Sequence, residues 1–237
     1  MHDALPGIEA LSETLLLIRI GHDIDIEVNA RVHALARRIG EAALPGVLDL
    51  SPAYASLGLR YAPSSWTRPG VDAFEAISQA LRPLLRASAE DGSGLPRRVD
   101  IPVCYGGACG ADLPALAEAC ALSVDDVIRR HSTARYRVAM LGFAPGFPYL
   151  LGLDSALHLP RRAVPRTSVP AGSVAIGGAQ TGIYPRDMPG GWHLIGRTPL
   201  SLFDVDAARP CRLTPGDEVR FVPITATAFG AWPGECE

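Results

Sequence analysis

Residues 141–203 read LGFAPGFPYLLGLDSALHLPRRAVPRTSVPAGSVAIGGAQTGIYPRDMPGGWHLIGRTPLSLF, and this stretch decides the fold class. It carries 10 of the chain's 24 glycines and 8 of its 21 prolines in 63 residues. A long helix does not survive that density, because Gly adds backbone entropy and Pro removes a donor, whereas short strands joined by tight turns accommodate both. Only seven of its side chains are Asp, Glu or Arg. A segment so poor in charge must bury much of itself or line a recessed surface. The short apolar runs YRVAMLGF, GSVAIGG, HLIGR and EVRFVPI, starting at Tyr136, Gly172, His193 and Glu218, are spaced by turns. That spacing predicts a closed or nearly closed β-barrel.

Upstream the period changes. Residues 15–20 read as a buried strand ended by Gly21, after which Val28, Val32, Leu35, Ile39 and Ala43 recur at steps of three and four, one face of a helix. Pro45 and Gly46 stop that helix. GVLDLSPAYASLGLRYAP then offers two short strands bent at Ser51 and Pro52. A second helix aligns Val71, Phe74, Ile77, Leu81, Leu84 and Leu85, with a kink expected at Pro83. The order β-α-β-β-α, completed by a last strand, predicts a split βαβ sandwich of the ferredoxin-like kind. EDGSGLP, residues 90–96, is the linker candidate, so the chain reads as α+β, with an N-terminal domain over 1–92 and a barrel domain over 93–237. Within the second, residues 99–105 read as a strand and Asp112 as an N-cap with Pro114 in the first turn. Ser123 and Asp126 form a capping box that opens a helix to about His131.

At 237 residues and 48% hydrophobic content the chain suits one large or two small domains. A net charge of −3, a pI near 6.1 and scattered arginine pairs give no basic surface for nucleic acid. All 22 basic residues are arginine. A chain without lysine cannot supply a Walker-type loop, a Schiff base to pyridoxal phosphate, a Ser/Lys hydrolase base or a kinase-type lysine on ATP. Any nucleotide is therefore expected on a companion polypeptide. The N-terminal residues carry no basic run before the apolar stretch 15–20, which is too short for a signal or a membrane span, so a cytoplasmic, membrane-free protein is expected. Cysteines at 104, 109, 120, 211 and 236 are odd in number and irregularly spaced, which fits reduced thiols.

Several residues could carry chemistry. Cys104, Cys109, Cys120 and His131 have the ligand types of zinc without its paired spacing, so no metal is expected. Cys104 reads either as a nucleophile beside His131 or as a buried strand cysteine. His131 and His193 read as proton-transfer groups or as hydrogen-bonded structural residues. Arg166 and Arg197 lie in nearly uncharged surroundings and each needs an anionic partner, which is an internal carboxylate or a substrate carboxylate held by the guanidinium fork. Between Val174 and Tyr184, the N–H groups of Gly177, Gly178 and Gly182 with the Gln180 amide could stabilise a developing oxyanion, or the glycines could only turn a hairpin. Phe143, Phe147, Tyr149, Tyr184 and Trp192 supply apolar walls or core packing.

The motifs GFxPGFPYL, PRxxVPAGSVAIGGxQTGIYP and GGWxLIGRTPLxLF resemble the signature of one bacterial family. That family contains the B subunit of 5-oxoprolinase and the sporulation kinase inhibitor KipI, and was formerly labelled allophanate hydrolase subunit 1. DIEVNARVHALARRI, GVLDLSPAYASLGLRY, IPVCYGG and DDVIRRHSTARYRVAMLGF resemble further blocks in the same order, covering nearly the whole chain. Where the family reads YGGE-x-GPDL, this chain has Ala108 in place of the Glu and Ala111 in place of the Pro, so no role of that Glu carries over. The resemblance implies a cyclophilin-like barrel without implying isomerase activity. It also implies ATP-dependent hydrolysis of 5-oxo-L-proline to L-glutamate by an assembly. This chain would pair tightly with the C subunit of 5-oxoprolinase, act with the A subunit, leave ATP to the complex and be inactive alone. On that reading His131 and Gln180 are the catalytic candidates. Phe143, Phe147, Tyr184 and Trp192 would line the substrate site, Arg166 or Arg197 would hold the substrate carboxylate, and Gly177 and Gly178 would polarise the lactam carbonyl. A KipI-like inhibitor of a sensor histidine kinase and a urea or allophanate amide-hydrolase module are the alternatives.

Overall fold

Leu16 and Ile18 alternate with half-exposed neighbours, and Leu57 and Leu59 do the same, so the two segments form the central strands of a sheet with one buried face. The computed structural model describes residues 6–86 and 96–232, which divide into two compact units, Met1–Leu95 and Pro96–Glu237. Of the expected linker at 90–96 only Pro96 falls within the described residues, and the expected break between 92 and 93 lies outside them.

The first unit runs β1 (Gly7–Ser12), β2 (Leu15–Arg19), α1 (Ile26–Glu41), β3 (Val47–Pro52), β4 (Ser56–Tyr61) and α2 (Ala73–Arg86). Its antiparallel sheet has the order β1-β2-β4-β3. The buried strand residues pack on Val32, Leu35 and Ile39 of α1 and on Ile77 and Leu81 of α2. Asp25 caps α1, accepting from the backbone N–H groups of Glu27 and Val28 at 2.8 and 2.9 Å. Ala43, expected on the helical face, is exposed beyond the helix end with φ +44°. The sheet order is that of a ferredoxin-like sandwich, but its fourth strand differs from expectation. Strand β1, from the N-terminal side, occupies the edge beside β2, and among the described residues of this unit no strand follows α2. Strand β1 is mostly exposed, and an edge strand with one solvated face leaves little apolar alternation to read.

The second unit runs β5 (Arg98–Tyr105), α3 (Leu113–Ala119), α4 (Val124–Thr133), β6 (Tyr136–Leu141), β7 (Pro148–Leu151), β8 (Arg166–Val169), β9 (Ser173–Gly177), β10 (Gln180–Ile183), β11 (Met188–Gly190), β12 (His193–Arg197), β13 (Glu218–Ile224) and α5 (Ala226–Gly230). Seven strands close a barrel in the order β10-β7-β6-β13-β5-β12-β9. Only β5 and β13 pair in parallel among them. Ile101, Val103, Val138, Ile176, Ile195 and Val219 fill its interior. Ser123 opens α4 as a capping box, accepting from the Asp126 N–H at 3.1 Å and donating to the Asp126 carboxylate at 2.7 Å. Strands β8 and β11 form a separate two-stranded sheet. Val169 of β8 belongs to a second apolar cluster with Phe147, Tyr184, Trp192 and Leu194. Among the described residues no helix is long and apolar enough to cross a membrane.

Candidate functional site

Helix α4 carries His131 into the core of this unit rather than into a site. The ring is fully buried and stacks on Phe221 with centroids 4.5 Å apart. Thr181 donates its hydroxyl to the Ala175 carbonyl at 2.9 Å, so toward His131 it offers only lone pairs. Nε2 therefore carries the proton and donates to Thr181 Oγ1 at 3.0 Å, while Nδ1 accepts from the Tyr105 hydroxyl at 2.7 Å. Burial pulls the imidazole pKa from 6.5 down to about 3, so the ring is neutral near pH 7. Sealed and with both nitrogens engaged, His131 cannot move a proton to a substrate, and the catalytic expectation is corrected to a structural one. Tyr105 faces inward to His131, so its neighbour on β5, Cys104, faces the opposite side, which removes the Cys104–His131 nucleophile pair. Among the described residues no group of three or more His, Cys, Asp or Glu could hold a metal ion.

Arg166 has an internal partner. Its guanidinium makes a fork on Asp112, with N–O distances of 2.8 and 2.7 Å. Arg162 donates to the same carboxylate at 3.1 Å, and the Leu194 backbone N–H donates at 2.7 Å. Asp112 flanks α3 as expected, yet its side chain makes no capping bond, because the two arginines take it. Burial works to raise the Asp112 pKa. The Arg166 hydrogen bonds, the Leu194 N–H and the charges of Arg166 and Arg162 outweigh that, holding the carboxyl below its usual range. Arg166 is thus a clamp between β8 and β12, not a free grip for a substrate carboxylate. Arg197 differs: its Nε donates to the Ala171 carbonyl at 2.8 Å and its guanidinium lies 5.8 Å from the Phe229 ring centroid. It does not line the cleft described next.

The expected aromatic walls do come together. Phe143, Phe147, Tyr149, Tyr184 and Trp192 line an open cleft of about 320 Å³, with Arg161 at its edge. That volume suits a small molecule, at the lower end of the roughly 300–1,000 Å³ range of such sites. Phe147 organises the rings, meeting Phe143, Tyr184 and Trp192 edge-on at centroid distances of 5.6, 5.2 and 5.7 Å. Phe143 is 64% exposed and holds φ +69°, a left-handed conformation that a bulky side chain rarely adopts. Gly177 makes room for Trp192, since a Cβ there would stand 2.6 Å from the indole.

The glycine hairpin serves packing rather than an oxyanion. Gly178, with φ +67°, donates its N–H to the Leu159 carbonyl at 2.8 Å, and Gly182 lies within the ladder between β7 and β9. Gln180 pairs with Gly177 across the hairpin and does not line the cleft. His193, the other histidine candidate, donates Nε2–H to the Pro160 carbonyl at 2.8 Å and so fastens the loop before β8.

Known proteins share both the sequence and this architecture. The carboxyltransferase domain family, subdomains C and D, matches residues 6–213. The B subunit of 5-oxoprolinase from Bacillus subtilis (strain 168) is 42% identical over 236 residues, covering 96% of this chain and 97% of that protein. The chain belongs to the family of 5-oxoprolinase B subunits. Its member in Escherichia coli O157:H7 is 43% identical over 213 residues, with 90% and 94% of the two chains covered. The solved structure of the protein TTHA0988 superimposes with a TM-score of 0.77 at 38% identity over 94% of this chain, which spans 41% of that longer one. Both curated relatives are named as subunits, that is, as parts of a multi-subunit enzyme.

Sequence reasoning missed three side chains of this region, Asp112 as the receiver of two arginines, Arg162 as its second donor, and Arg161 at the cleft. A signal was present. Residues 141–203 hold five arginines against Asp154 and Asp187, and those two carboxylates are taken by Arg130 and by the Ala171 N–H.

Proposed function

We propose that this chain is the B component of an ATP-dependent 5-oxoprolinase, opening 5-oxo-L-proline to L-glutamate together with the A and C components, and that it is inactive alone. The near end-to-end match to B subunits of 5-oxoprolinase carries the reading. The chemistry supports it. The lactam is an unstrained amide, so its opening needs an external driving force, and a chain without lysine lacks the usual cation for a nucleotide's phosphates. Nucleotide bound elsewhere in the assembly supplies that driving force. The role of this chain is to seat the ring. The aromatic cleft offers flat apolar faces to the pyrrolidone, and Trp192 and Phe143 exclude water from it.

The test is reconstitution with the A and C components and measurement of glutamate release, with and without ATP and with each component omitted in turn. Release should require all three and ATP. Release by this chain alone, or by the other two without it, would contradict the proposal. Failure of release together with capture of a histidine-kinase dimerisation domain would favour a KipI-like inhibitor, and turnover of urea or allophanate would favour an amide-processing module.

A further inference from the structure

We infer that Arg161 is the carboxylate anchor of the aromatic cleft, selecting a small ring that bears a carboxylate over the same ring without one. This rests on the cleft being the substrate site of the proposed 5-oxoprolinase and names how that site recognises its ligand.

Arg161 and Arg162 lie in the loop that leads into β8 and Arg166 opens the strand, and the fates of the three differ. Arg162 and Arg166 converge on Asp112. Arg161 meets no carboxylate among the described residues. Its guanidinium instead lies 5.7 Å from the centroid of the Trp192 ring. A guanidinium held over an aromatic face by its charge spends no N–H group on that contact, so its fork can still receive a carboxylate by two parallel hydrogen bonds. The loop that presents it is fastened at several points. The Arg162 N–H donates to the Gly191 carbonyl at 2.8 Å, His193 holds the Pro160 carbonyl, and Asp112 holds the side chains of Arg162 and Arg166. Arg161 is therefore pre-positioned, which limits the entropy lost on binding.

The charge also faces the rings that would hold the ligand. Burial raises the phenol pKa values of Tyr149 and Tyr184 on balance, and the Arg161 charge works against that rise at both, joined at Tyr184 by a backbone hydrogen bond from Trp192. Arg162, a second lining residue, keeps a buried Nε–H with no acceptor among the described residues. Among the described residues the cleft thus combines apolar walls, a cation without a carboxylate partner and no carboxylate on its lining. A neutral amide would use the walls alone. A cyclic amide with a carboxylate beside its nitrogen, as in 5-oxoproline, would use both.

The experiment is equilibrium binding of 5-oxoproline and of uncharged 2-pyrrolidone to the full chain, alone and in the assembled complex, read from tryptophan fluorescence and from chemical shifts. Wild type, Arg161→Gln and Arg161→Lys are compared, with KM and kcat measured wherever glutamate is released. Arg161→Gln should weaken 5-oxoproline binding roughly 10- to 100-fold, the range of a charge-assisted pair, and raise KM with little change in kcat. Binding of 2-pyrrolidone and the melting temperature should not move, since Arg161 is exposed. Arg161→Lys keeps the charge without the fork and should fall between. An Arg161→Gln protein that still prefers 5-oxoproline over 2-pyrrolidone would overturn the inference, as would a wild type that binds neither ring in either state. Selective binding without glutamate release would instead count against the proposed activity and leave the anchor standing.

Discussion

His131 and Arg161 both stand among aromatic rings, and their surroundings are opposite in every other respect. Around His131 the rings are packed shut, each nitrogen has a partner, and burial has stripped the charge. Around Arg161 the rings open on a cleft, and the guanidinium has an aromatic face and, among the described residues, no carboxylate. Fully satisfied buried polarity rigidifies a core, whereas an unengaged cation against apolar walls leaves binding energy for something else. In this barrel the residue type most often chosen for proton transfer holds the scaffold together, and an arginine in a proline-rich loop faces the open cleft.

The contrast breaks most visibly in acid. The folded pKa of His131 is depressed from 6.5 to about 3, so below pH 6.5 the unfolded chain binds a proton that the folded barrel refuses. Stability from this group is intact above pH 6.5 and is lost progressively as pH falls toward 3. Asp112, with its carboxyl also held low, acts in the same direction from about pH 4 downward. Thermal melts of wild type and His131→Gln should therefore diverge between pH 6.5 and 4.5, with the variant losing less per pH unit. Parallel profiles would mean that the ring is not sealed. Next in size is Asp112→Asn, which leaves Arg166 and Arg162 without their shared counter-charge. Breaking a buried pair from one side costs about 3–5 kcal/mol. Because Arg166 and Arg162 retain 25% and 34% of their side-chain exposure, a loss of about 3 kcal/mol is expected in urea unfolding. A change under about 1 kcal/mol would show that the clamp is solvated.

Much of this was legible in the residues. Gly and Pro density with short apolar runs gave away the barrel, and the 3.6-residue face from Val28 to Ile39 announced α1, with Ala43 misplaced because the chain turns left-handed after Glu41. The charge-poor segment singles out its five aromatic rings without choosing between cleft walls and core packing, and the structure sets them along a cleft. What could not be read was pairing. Whether Arg166 meets Asp112, 54 positions away, or a ligand depends on how β8 and β12 are brought together, and no local pattern encodes that. The glycines at 177 and 178 look alike as text, yet one yields space to Trp192 and the other turns a hairpin. Strand β1 escaped because an exposed edge carries little alternation.

Phe143→Gly sharpens the contrast with the smallest expected change in stability. Relief of a left-handed φ contributes about 1–2 kcal/mol, offset by about 0.5–1 kcal/mol of glycine chain entropy and about 0.5–1.5 kcal/mol of lost ring contact with Phe147. The melting point should stay nearly fixed while one wall of the cleft disappears. The measurement that tests the account most directly is the KM for 5-oxoproline of the assembled complex carrying Phe143→Gly. A rise of several-fold with an unchanged melting temperature is the predicted result. An unchanged KM, with His131→Gln raising it instead, would place the substrate site away from the cleft.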